Sequence, residues 1–430
     1  MSQQTATSSR NSLIPIIIIG ALFFIYGFIT WANGILIPYL QIACQLDTSE
    51  ALWVTSAFYI SYAVMAFPSS WVLKKTGFKK GMMLGLIVMA VGALLFIPAA
   101  NSRTFGMFLF ALFVIGTGMA LLQTASNPYI TILGPIEGAA KRISIMGICN
   151  KTAGALAPLI LGAIVLKNSA EFEAQIATMD AVTKAPLLDD LASRVTLPYT
   201  IIAIALVLMA IFIFYSALPE VKAEGEDDSK SSAVINRKSL LDYPYLILGF
   251  ITLFLYVGVE VIAGDTIQIY GKSLGISLDV AKNFTTYTMI GMLVGYITGI
   301  IAIPKYFSQN TAMKASALLG ILFTLGAIFT TGYSSVLFIA LLGLANALVW
   351  PAIWPLAIDG LGKFTKTGSA LLIVGIAGGA VLPKLWALIG EAKIGETKIG
   401  LQHAYWIMIP CYLFIFYYGT AGHKVGKAKK

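Results

Sequence analysis

Residues 120–135 read ALLQTASNPYITILGP. The stretch closes a long apolar run that begins near Phe105. Inside it stand two amides, Gln123 and Asn127, a hydroxyl, Ser126, and a proline, Pro128. Gln123 and Asn127 are four residues apart, so on a helix they share one face. Polar side chains facing hydrocarbon are costly, and two amides on one face of a membrane helix turn toward a bundle interior or a water-filled cavity.

The surrounding composition makes the membrane reading firm. Of 430 residues, 58% are hydrophobic and 11% charged, and the mean hydropathy is +0.84. Soluble domains carry about 25% charged residues. The net charge of +9 would suggest a nucleic-acid partner in a soluble protein. Here the basic residues fall in short loops between apolar runs, so their role is orientation in a lipid bilayer, with no nucleic acid implied. Cys44, Cys149 and Cys411 are scattered and odd in number, and indicate neither a disulfide framework nor a metal site. His403 and His423 are too few for a metal cluster. The polar leader MSQQTATSSRNS precedes an apolar run too long for a signal-peptide core, so no cleavage is expected.

A spanning helix needs about 20 apolar residues. Twelve runs qualify: 13–40, 51–73, 81–99, 105–132, 143–166, 198–218, 244–270, 280–303, 312–331, 335–359, 368–389 and 404–421. They are too long for the alternation of a β-barrel. An even count puts both termini on one side. With that topology 19 of the 29 Lys and Arg residues fall on the terminal side, eight on the other, and two, Lys151 and Lys384, within runs. The asymmetry predicts cytoplasmic termini.

Residues 219–243 are polar and mixed in charge, and read as a linker between six-helix halves at 1–218 and 244–430. The halves resemble each other. Aligning Ile143 with Gly368 brings Gly154 onto Gly379 and Pro158 onto Pro383. The run before each is interrupted by proline: Pro128 in one half, Pro351 and Pro355 in the other. Repeated halves with broken helices at matching places are characteristic of transporters, with substrate bound near the midplane.

The loop 68–81, PSSWVLKKTGFKKG, resembles the basic Gly-rich loop of the major facilitator superfamily. GILIPYLQ (34–41), SAFYISYAVMAFP (56–68), QTASNPYITILGP (123–135), TLPYTIIA (196–203), LYVGVEV (255–261) and WPAIWPLAIDGLG (350–362) resemble its fucose–galactose–glucose symporter family more closely. The resemblance implies an all-α membrane protein of the superfamily fold, with twelve transmembrane helices in two pseudo-symmetric halves. It further implies alternating access, a sugar substrate, a cation gradient and a monomer. Two positions depart from the fucose-permease pattern: Gly34 stands where that pattern has an aspartate, and Gln123 where it has a glutamate. Those carboxylates are associated with proton coupling, so their loss favours sodium over protons as the coupling ion, at a site the sequence does not locate.

Charges within runs need a reason, since a central charge costs about 2.5–3.5 kcal/mol on insertion scales. Glu260, with Asp265 after it, is the expected cation-coupling carboxylate; the competing reading makes Glu260 a structural partner of a buried lysine such as Lys151. Lys151 is expected in the cavity, and Lys384 is expected to snorkel outward. Sugar recognition needs amides that read hydroxyls and flat apolar faces that stack on C–H surfaces. The expected amides are Asn33, Gln123, Asn127, Asn150 and Gln268, and the expected aromatics are Trp31, Trp350 and Trp354. Asn150 and Trp350 also match residues of the family pattern.

The sequence therefore predicts no enzyme but a symporter of the plasma membrane (the inner membrane of a bacterium), taking up a monosaccharide. A hexose such as glucose or galactose, or an N-acetylated one, is expected. No Walker A, HEXXH or GXSXG motif is present, and no cofactor beyond the coupling ion is expected. The alternatives are an uncoupled sugar facilitator, a transporter of another solute such as a drug–proton antiporter, and a sugar sensor.

Overall fold

A computed structural model describes residues 4–132, 139–216, 218, 239–303, 306, 308–361 and 364–427. Most of the linker expected at 219–243 lies outside the described residues.

The first span, α1, runs Ile14–Ala43 with an irregular turn at Ala32. Helices α2 (53–76) and α3 (78–94) form one continuous run reversed at Gly77, whose φ of 75° is a backbone conformation suited to glycine. Then follow α4 (Phe105–Ile132), α5 (Ala139–Val165) and α6 (Thr196–Tyr215). The second half begins with α7 (Pro244–Asp265, resuming at Ile267–Ser273), α8 (Phe284–Ala302) and α9 (Gln309–Phe329). It ends with α10 (Gly332–Asn346 and Val349–Ile358), α11 (Thr365–Val374 and Gly378–Glu391) and α12 (Met408–Thr420). All twelve expected runs are therefore helical.

Three details differ from expectation. The stretch 167–197 holds two short helices, Ser169–Ala177 and Ala181–Ser193, and a small hairpin pairs Lys393–Ile394 with Thr397–Lys398. Helix α4 runs unbroken through Pro128, whereas α10 does break. That break falls at Ala347–Leu348 and not at Pro351 itself, because a proline ring clashes with the carbonyl four residues earlier, which here is Ala347.

The outside of the bundle is apolar: on α6, Leu197, Ile201, Ile204, Leu208 and Phe212 are all exposed. Inside, glycines let helices touch. A Cβ at Gly27 of α1 would lie 2.3 Å from the Asn150 carbonyl oxygen of α5. The two glycines aligned in sequence also play equivalent parts. A Cβ at Gly154 of α5 would meet Trp31 of α1 and Met289 of α8; one at Gly379 of α11 would meet Val261 of α7 and Tyr59 of α2. Exchanging α1 with α7 and α2 with α8 converts one set of neighbours into the other.

Candidate functional site

A cavity between the halves encloses about 850 Å³ of space free of protein atoms, including solvent at its mouth. Tyr26, Trp31, Tyr59, Tyr62, Gln123, Asn127, Asn150 and Lys151 line it from the first half. Tyr256, Glu260, Tyr296, Trp350 and Pro351 line it from the second. The wall reaches Asn127, Ile143 and Tyr296, which lie toward the helix ends on the terminal side.

Lys151 and Glu260 form the only described ion pair that joins membrane-spanning helices of the two halves. Lys151 Nζ lies 2.8 Å from Glu260 Oε1, and the side chains are 8% and 12% exposed. The ammonium also sits over the Trp31 ring, 4.2 Å from its centroid, an attractive placement for a cation. Trp31 Nε1 in turn donates to Asn150 Oδ1 at 3.5 Å, and Asn150 Nδ2 donates to the Phe23 carbonyl at 3.5 Å. Gln123 Nε2 donates to Tyr62 OH at 2.9 Å. Tyr59 stacks on Tyr62, and Trp350 on Trp354. The Thr30 hydroxyl, also in the wall, is buried without a hydrogen-bond partner.

The arrangement combines a donor cation, an acceptor carboxylate, amides and flat aromatic faces around one space. That set suits a small, neutral, polyhydroxylated solute with apolar C–H faces.

Seven of the residues singled out in the sequence meet here: Trp31, Gln123, Asn127, Asn150, Lys151, Glu260 and Trp350. Four do not line the cavity. Trp354 stands behind Trp350, at 5.8 Å between ring centroids. Asn33, Asp265 and Gln268 are 1%, 0% and 0% exposed and lie behind the wall. Asp265 follows Glu260 by five residues on the same continuous helix, about 140° around its axis, and so turns away from the cavity. The tyrosines of the wall escaped the sequence reading. Their signal was position: Tyr26, Tyr59, Tyr256 and Tyr296 fall inside spans, away from the interfaces where membrane tyrosines usually concentrate.

At the ends opposite the termini, polar contacts join the halves. Lys384 of α11 donates to the Ser49 carbonyl and, at 2.8 Å, to Ser49 Oγ, so it does not snorkel outward as expected. Glu391 Oε1 accepts from the Ser49 amide at 2.9 Å. Lys272 pairs with Glu173, and Lys282 Nζ donates to the Leu166 carbonyl at 3.2 Å. Among the described residues, these contacts join the halves at the ends opposite the termini, while the cavity wall extends toward the terminal side.

The pattern of the Major Facilitator Superfamily matches residues 19–384. A glucose/galactose transporter of Brucella abortus biovar 1 (strain 9-941) is 33% identical over 424 residues, spanning 98% of this chain and 97% of that one. The L-fucose-proton symporter of Escherichia coli (strain K12) is 28% identical, spanning 90% and 89%. A crystal structure of FucP, a transporter of the superfamily, in the outward conformation has a TM-score of 0.72 and 26% identity, covering 95% of this chain and 98% of that one. With its twelve helices, its central cavity and these similarities along nearly its whole length, the chain belongs to the major facilitator superfamily, in the fucose–galactose–glucose:cation symporter branch, and is a transporter and not an enzyme.

Proposed function

We propose that this protein takes up a hexose across a bacterial plasma membrane, driven by the gradient of a cation that travels with it. The observation that carries the reading is the Lys151–Glu260 pair, set between the halves in a wall of amides and aromatic rings. The names of the similar proteins, a glucose/galactose transporter and an L-fucose-proton symporter, support the same solute class. Glucose, galactose or an N-acetylated hexose fits a cavity of this chemistry. Gln123, Asn127, Asn150 and Lys151 bind sugar hydroxyls, and Trp350 offers a stacking face. Trp354, Asn33 and Gln268 support the site from behind. Glu260 and Asp265 couple transport to the cation, sodium ahead of protons.

The sorting of 19 of 29 basic residues to one side supports cytoplasmic termini. On that orientation the cavity faces the cytoplasm, and Lys384–Ser49 and its neighbours close the outer gate. The protein works as a monomer of two halves, 1–218 and 244–430, joined by 219–243. Alternating access then requires the outer contacts to part while the terminal-side ends close.

The test is uptake of radiolabelled glucose, galactose, fucose and N-acetylglucosamine into proteoliposomes, with an imposed sodium gradient, an imposed proton gradient, or neither. Accumulation of a hexose under sodium alone is expected. Mere equilibration, indifferent to gradients, would make the protein a facilitator, and no uptake of any sugar would overturn the solute class.

A further inference from the structure

Behind the cavity wall, α7 breaks between Asp265 and Ile267. Asp265 is 0% exposed, and neither of its carboxylate oxygens has a hydrogen-bond partner. A buried carboxylate without a partner is among the most costly groups a fold can hold, so a positive species must accompany it. Lys151 does not serve, because its ammonium is held by Glu260.

Three residues on, the hydrogen-bond network decides how the Gln268 amide is turned. Thr285 Oγ1 donates its one proton to the Gly264 carbonyl at 2.6 Å, so it accepts from Gln268 Nε2 at 2.9 Å. Gln268 Oε1 therefore points away from Thr285, and it too is buried without a partner. One turn of broken helix thus carries three buried acceptor oxygens that no donor reaches. A proton would satisfy one of them. A hard cation, which gathers several oxygens at once, answers all three.

The surroundings are built to hold this cluster. The carbonyls bared by the helix break are taken up by hydroxyls: Ala263 O by Thr288 at 3.0 Å and Gly264 O by Thr285. Across the interface α1 presents Gly34, where a Cβ would lie 3.0 Å from Thr285 Oγ1, 3.2 Å from Gln268 Nε2 and 3.5 Å from the Asp265 Cα. Trp31 links the cluster to the cavity. It packs so closely on Gly264 that a Cβ there would be 2.2 Å from Trp31 Cζ3, and the same ring underlies the Lys151 ammonium.

We propose that Asp265 and Gln268 bind a sodium ion at the break of α7, in a site separate from the sugar cavity and joined to it through Trp31. The proposal rests on the symport reading and names the ion and its place. It also supplies a coupling device. With sodium on Asp265, Lys151 stays with Glu260 and the sugar site is assembled. Without sodium, the Asp265 carboxylate competes with Glu260 for Lys151, and the site is disturbed.

The test uses the purified full chain without sugar. Melting temperature and tryptophan fluorescence are followed while NaCl is titrated against KCl and choline chloride at constant ionic strength. Sodium alone is expected to raise Tm saturably and to change the emission. Asp265→Asn should abolish the response, and Gln268→Leu should weaken the apparent sodium affinity by about tenfold or more. Should Asp265→Asn fail to fold, Gln268→Leu carries the test. A response shared equally by potassium and choline would overturn the proposal, as would an Asp265→Asn protein that responds like the parent. A response lost in Glu260→Gln but kept in Asp265→Asn would move the ion to Glu260 and overturn it as well. Sensitivity to pH in place of sodium would assign a proton instead. Because no sugar is present, a failed sodium response leaves the sugar reading to its own uptake assay, and failed uptake beside an intact sodium response refutes the sugar reading alone.

Discussion

Lys151 of α5 and Glu260 of α7, 109 residues apart in sequence, are brought to 2.8 Å across the two halves of the bundle. Both side chains are nearly buried. Removing one partner of a buried pair strands the other charge and costs about 3–5 kcal/mol, whereas replacing both can be nearly neutral. Lys151→Met and Glu260→Gln should therefore each lower Tm, and the double variant should recover most of the loss. Concentrative uptake should be absent in all three. A double variant less stable than either single one would contradict the pairing.

Gln123 donates to the Tyr62 hydroxyl at 2.9 Å and faces the cavity. Gln123→Leu keeps the side-chain bulk and removes the amide. Such a loss is worth about 0.5–1.5 kcal/mol in a neutral hydrogen bond, or up to about tenfold in affinity. The apparent KM for the transported sugar should rise by up to that factor with the fold intact. An unchanged KM would place the sugar away from α4.

Gly154 leaves room for the Trp31 ring, since a Cβ there would lie 2.5 Å from Trp31 Cδ1. Gly154→Ala should tilt Trp31 away from Lys151 and reduce uptake severalfold. Gly106→Ala, where a Cβ meets nothing within 4 Å, should be neutral. Tryptophan emission of the two variants provides a second reading of the same displacement.

Lys384 and Glu391 both grip Ser49 from α11. Lys384→Gln combined with Glu391→Gln should loosen the ends opposite the termini and shift the population toward the state open there. A thiol placed at Ser56, which is 7% exposed and donates to the Ala380 carbonyl across the same interface, should then react faster with a polar maleimide. The measurement belongs in a background with Cys44, Cys149 and Cys411 replaced by serine. Unchanged reactivity would show that these contacts do not hold the gate.

Much of the architecture was legible in one dimension, because hydrocarbon imposes a one-dimensional rule. Each crossing must satisfy its own backbone and present about 20 apolar residues, so the twelve runs, their alternation and the Gly154–Gly379 correspondence are written along the chain. The face shared by Gln123 and Asn127 was legible for the same reason, since helical periodicity is local. The rotation of each helix about its axis is not local. It follows from which small residues allow close approach, such as Gly27 against Asn150 or Gly154 against Trp31. That rotation turns Glu260 into the cavity, and the five-residue spacing, about 140° around the same helix, then carries Asp265 behind its wall. It also gives Lys384 to Ser49 instead of to solvent, and gathers Tyr26, Tyr59, Tyr62, Tyr256 and Tyr296 around one space. The sequence by itself determined how many times the chain crosses and which polar groups had to be kept from lipid. Only the tertiary structure decided which of those groups face one another, because their partners come from helices 61 to 335 residues away, positioned by packing that no local pattern encodes.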